Sequence, residues 1–117
     1  MLEEKAKDLG RLIGQSPEYQ ALRRSSELLN EDKEAVALLQ QMEKLRGEAQ
    51  QLIQRGENPT PEMEQQLDAL LEKIQSQSAY QRAVVAQENF DKLMLRVNQW
   101  IMDGMKKGAA SPIITLS

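Results

Sequence analysis

The chain has 117 residues, 40% of them hydrophobic and 28% charged, a net charge of −3, and neither histidine nor cysteine. That length supports one domain with a modest core, and the two missing residue types exclude disulfides, thiolate or imidazole catalysis and metal sites built on Cys or His. Lysine and arginine are interspersed with acids, which argues against direct nucleic-acid binding, and no apolar run nears the roughly 20 residues that span a membrane.

Leu2, Ala6, Leu9, Leu12 and Ile13 recur at helical spacing and predict a first amphipathic helix. Gly14 is expected to end it in a left-handed conformation. Ser16, Pro17 and Glu18 then supply a cap, a first-turn proline and an acid at the positive end of a dipole. They open a second, short helix with Tyr19, Leu22, Ser26 and Leu29 on its inner face. Asn30-Glu31-Asp32 restarts the chain. Ala35, Leu38, Met42, Leu45, Ala49 and Leu52 advance in steps of three and four, widened by Leu39 and Ile53, as a helix packed lengthwise on another requires.

Arg55 and Gly56 read as an ending, and Asn58-Pro59-Thr60-Pro61 as a loop whose Thr60 caps a fourth helix bearing Met63, Leu67, Leu70 and Ile74. Ser76-Gln77-Ser78 interrupts, and Ser78 with Gln81 has the spacing of a capping box. The last helix carries the seam Ala83, Ala86, Phe90, Leu93, Val97 and Trp100, with Leu95, Ile101 and Met105 beside it. Gly104 weakens its final turns, and Lys106-Lys107-Gly108 is expected to close it. The chain reads as all-α: an elongated bundle of about five helices, a single domain over residues 1–108, then a tail at 109–117 that is flexible or docks through Ile113, Ile114 and Leu116.

A helix from about Ala79 to Lys107 would be roughly 43 Å long. A compact chain of this size has a radius of gyration of roughly 13 Å. Unless the long third and fifth helices cover each other, the last helix overhangs and its apolar seam calls for a second subunit. A homo-oligomer, most simply a dimer, is therefore expected. The interface candidates are Phe90, Leu93, Val97, Trp100, Ile101 and Met105, with Trp100 the best single anchor because tryptophan is enriched at binding hot spots.

No phosphate-cradling motif occurs. Glu31, Asp32 and Glu34, and likewise Glu62 and Glu64, fall at helix starts, where solvated acids are favoured by the dipole. Arg23-Arg24 and the glutamines at 50, 51 and 54 read as solvated helix surface, and the methionines at 42, 63, 94, 102 and 105 as gap-fillers or an adaptable surface. QSPEYQAL (Gln15–Leu22) and QSAYQRAV (Gln77–Val84) echo each other, but serine and tyrosine are three residues apart in one and two in the other. The echo reads as helix punctuation, not as a repeated ligand motif. These residues predict no catalytic site, metal or cofactor.

Three successive stretches carry a family resemblance: LGRLIGQSPEYQALRRSSELL, then NEDKEAVALLQQMEKLRGEAQQLIQRGENPTPEMEQQLDALLEKI, then QSQSAYQRAVVAQENFDKLMLRVNQWI. From about Ala6 to Met105 the order of caps, loop and helix lengths resembles the YlbF/YmcA/YheA family of small helical bacterial regulators, and most of all its YheA-like branch. The resemblance implies a bundle built on a long antiparallel helix pair, commonly self-associating, in a cytoplasmic regulator. Better-understood branches act in competence, sporulation and biofilm formation in association with an mRNA-processing endoribonuclease complex. They bind an iron–sulfur cluster through cysteines, which this chain lacks. The expected function is a non-enzymatic adaptor with a protein partner, no direct nucleic-acid contact and no membrane contact. The alternative is a structural or chaperone-like oligomer that binds clients through apolar helix faces.

Overall fold

The computed structural model describes residues 1–110, so the expectations placed on Ile113, Ile114 and Leu116 lie outside the described residues. Five helices follow one another: α1 (Leu2–Gly14), α2 (Pro17–Glu31), α3 (Lys33–Gln54), α4 (Pro61–Gln75) and α5 (Ser78–Ala110). No strand occurs among the described residues, in keeping with the all-α reading. The molecule is elongated, 66 × 37 × 19 Å with a radius of gyration of 21.5 Å.

Local chemistry sets most boundaries as the sequence suggests. Ser16 Oγ accepts from the Tyr19 amide at 3.2 Å, Asp32 Oδ1 from Ala35 at 3.0 Å and Thr60 Oγ1 from Met63 at 3.2 Å. Each thereby satisfies an amide that the first helical turn leaves unpaired. Gly56 has φ +81°, and the amides of Gly56 and Glu57 return to the carbonyls of Ile53 (3.0 Å) and Leu52 (2.8 Å). This double bond is a Schellman ending, which needs a left-handed residue at that position.

Three local expectations are corrected. Gly14 stays in α1 with a negative φ, and its carbonyl accepts instead from Gln20 Nε2 at 2.8 Å. Ser78 and Gln81 do not form a capping box. Ser78 is already helical, and Gln81 Nε2 reaches back to the Gln75 carbonyl at 2.7 Å, because the two-residue α4–α5 connection brings that open carbonyl within range. Lys106-Lys107-Gly108 does not end α5. Gly108 adopts no left-handed turn, and the helix runs on through Ala109 to Ala110, 33 residues and roughly 50 Å.

The helices associate as two antiparallel pairs. α3 and α4 form a hairpin closed by the loop at residues 55–60, with a core of Ala35, Leu38, Met42 and the fully buried Ile74. α5 runs back along α2: Pro17 and Glu18 lie by Lys92 and Arg96, while Leu28 and Asp32 lie by Ser78 and Arg82. Helices 3 and 5 therefore do not cover each other, since α3 is taken by α4 and α5 by α2. Leu29 and Tyr80 pack against the α3/α4 core and join the two pairs end to end. α1 packs on α2.

Candidate interaction surface

The α5 seam is one stripe by sequence, but the fold divides it. Ala86 and Val97 are buried, and Phe90 and Leu93 are half-buried. The Phe90 ring tilts against Tyr19 of α2, with centroids 5.6 Å apart and planes at 59°, a geometry that aromatic quadrupoles favour. Past Val97 the stripe continues as Trp100, Ile101 and Met105, whose exposures are 60%, 43% and 67%. The cause is geometric. α2 has 15 residues and α5 has 33, and the start of α2 lies level with Lys92–Arg96, so α2 gives the last turns of α5 no cover.

Of the six sequence-predicted interface residues, Trp100, Ile101 and Met105 thus form an open apolar surface. Val97 is buried within the chain, Phe90 packs on Tyr19 of α2, and Leu93 is half-buried. Gly104 and Gly108 lie between and beyond the exposed residues, with no neighbouring atom where a Cβ would stand. Arg96, Asp103, Lys106 and Lys107 lie along the same segment. The methionines divide likewise: Met42 is in the core, Met63 and Met94 are half-buried, and Met102 and Met105 are exposed.

A second surface was not legible in the sequence. No residue of α1 is buried, and Leu2 and Leu12 are 85% and 66% exposed. Its apolar spacing resembles that of any inward-facing helix, and nothing local signals that it is covered only in part, with Leu9 and Ile13 half-buried.

Elsewhere the surface offers shallow relief. Two open grooves stand out: one of about 450 Å³ between α3 and α4, near Lys44, Glu48 and Lys73, and one of about 650 Å³ between α2 and α5. No polar side chain is buried among the described residues, and no cluster of three or more acids is placed to hold a metal. Glu31, Glu34, Glu62 and Glu64 are exposed, and Asp32 is occupied as a cap. A general acid or base at neutral pH usually needs burial or a charged neighbour to shift its pKa. No helix among the described residues is long and apolar enough to cross a membrane.

Comparison with known proteins gives the fold a lineage. Residues 2–106 match the family described as "Control of competence regulator ComK, YlbF/YmcA". A UPF0342 protein of Streptococcus gordonii is 37% identical over 71 residues, 61% of this chain and 63% of that protein, so the matched segment spans just under two thirds of that relative. A UPF0342 protein of Streptococcus mutans is 34% identical over 83 residues, 71% of this chain and 74% of that protein. A chain from the crystal structure of Bacillus subtilis RicA in complex with RicF shares the fold, with a TM-score of 0.79 at 18% identity over 92% of this chain and 96% of that one. The chain belongs to the YlbF/YmcA family.

Proposed function

We propose that this YlbF/YmcA-family chain is a non-enzymatic cytoplasmic adaptor, acting in gene regulation through protein–protein contacts centred on the C-terminal half of α5. The observation that carries the reading is the exposed run Trp100, Ile101 and Met105, which continues the buried stripe ending at Val97. A contiguous apolar surface that includes a tryptophan has the composition of a binding hot spot.

Two comparisons support the reading. The family is named for control of a competence regulator, and the fold recurs in a structure whose subject is one protein in complex with another. We propose by extension a self-associating chain, a dimer, with a further protein partner and a role resembling that of regulators linked to mRNA processing. An iron–sulfur cluster held by cysteines does not carry over, because the chain has none.

Size exclusion with light scattering at micromolar concentration, combined with crosslinked capture from native cytosol, tests this reading. A dimer that retains a discrete second protein, and loses it with Trp100→Ala, is the expected result. A monomer that retains nothing across growth states would overturn it.

A further inference from the structure

We propose that the α5 seam is filled by a second copy of this chain, and that the element it contributes is α1. In a two-fold dimer each copy's α1 lies antiparallel along residues 98–110 of the other copy's α5. The inference rests on the self-association proposed above and supplies its geometry.

Two apolar faces are left wholly or partly open among the described residues, and they match in length. α1 presents Leu2 and Ala6, both exposed, with Leu9 and Ile13, half-buried, over 13 residues, roughly 20 Å. The uncovered part of α5, residues 98–110, is 13 residues long, roughly 20 Å. Both faces emerge at the same end of the molecule. α2 begins level with Lys92–Arg96, and there the chain leaves α5 through Gln15 and Ser16 into α1. α1 packs on α2, and Trp100, Ile101 and Met105 stay exposed, so α1 does not cover the open end of its own α5.

A two-fold axis resolves this by exchange, because an isologous interface makes every contact twice. Stable dimers bury roughly 800 Å² per partner. The reciprocal pair doubles the area that one helix crossing would bury. Charge favours the antiparallel sense: the first turn of α1 carries Glu3 and Glu4, and the last turns of α5 carry Lys106 and Lys107. That sense brings acids at a helix start to cations at a helix end and opposes the two dipoles. Pairing α5 with α5 of the second copy would instead leave Leu2 and Ala6 of both α1 helices in water.

The chain has no cysteine, so engineered thiols are unambiguous reporters. A disulfide requires Cα atoms roughly 4.4–6.8 Å apart, which makes it selective for the elements that touch. Leu9→Cys and Ile101→Cys place one thiol near the middle of each stripe, and Ala6→Cys with Gly104→Cys samples the neighbouring turn. Full-length single variants are oxidised alone and as mixtures of the α1 and α5 variants, with circular dichroism confirming helicity. The mixtures should give disulfide-linked dimer at least tenfold above any variant alone. Efficient linkage of an α5 variant with itself, or of an α1 variant with itself, overturns the arrangement. So does a dimer by light scattering that links in neither mixture, although self-association then stands. A monomer by light scattering removes both.

Discussion

The rings of Tyr19 and Phe90 meet with centroids 5.6 Å apart, and they fix where α2 lies on α5. Tyr19 is in the first turn of α2 and Phe90 is near the middle of α5, so the contact also marks where cover of α5 is about to end. A double-mutant cycle with Tyr19→Ala and Phe90→Ala should return a coupling of about 0.5–1.5 kcal/mol in urea unfolding. A coupling of zero would mean that the two rings do not share an energetic contact.

Trp100→Ala should separate association from folding. The side chain is mostly exposed within the chain, so the thermal midpoint of the isolated subunit should hardly move. If Trp100 anchors the dimer, its dissociation constant should rise about 30-fold, roughly 2 kcal/mol, by sedimentation or light-scattering dilution series.

Ile74→Ala should act the other way. Ile74 is fully buried against Ala35, Leu38 and Met42, and removing its outer carbons leaves a cavity that helix backbones close only partly. Chemical denaturation should show a loss of about 3 kcal/mol.

Two glycines should respond with opposite signs. Gly47 lies inside α3 with open space at its Cβ position, so Gly47→Ala should stabilise the chain by roughly 0.5–1 kcal/mol. Gly56 also has open space, but its φ is +81°, so Gly56→Ala should destabilise by roughly 1–2 kcal/mol through backbone strain alone. Thermal melts of the two variants make the comparison.

The linkers between helices offer a smaller test. Gln20 and Gln81 each follow a tyrosine, and each donates to a carbonyl six residues back, at Gly14 and Gln75. Gln81→Ala should fray the end of α4 and cost about 0.5–1 kcal/mol, visible as faster amide exchange in its last turn. The same change at Gln20 should loosen the end of α1 and leave α4 untouched.

Those glutamines show how sequence and fold divide the information. The echo of QSPEYQAL and QSAYQRAV was legible as punctuation between helices, and so it is. The shared bond was not legible, because the bond runs from tyrosine-following glutamines to the end of the preceding helix, while the serines differ in role. Ser16 caps α2, whereas Ser78 is simply the first residue of α5. A cap motif needs only a spacing, but which carbonyl a side chain reaches depends on how sharply the chain turns.

The interface candidates divide the same way. Phe90, Leu93, Val97, Trp100, Ile101 and Met105 form one periodic stripe, and nothing in the period separates Val97, which is buried, from Trp100, which is open. That difference comes from the length of α2 and the point at which it starts beside α5. The partly open stripe of α1 was hidden for the same reason, since an amphipathic helix looks identical whether its cover is complete or partial.

By itself the sequence determined the five helices, most of their caps, the Gly56 stop and the apolar face of each, because these depend on residues within one or two turns of one another. Only the tertiary structure decided that α5 pairs with α2 and α3 with α4, and that part of α1 and the end of α5 are left open. Every helix here presents an apolar stripe of the same period, so the stripes do not name their partners. Connection lengths, helix lengths and the fit of particular side chains across the pairs do.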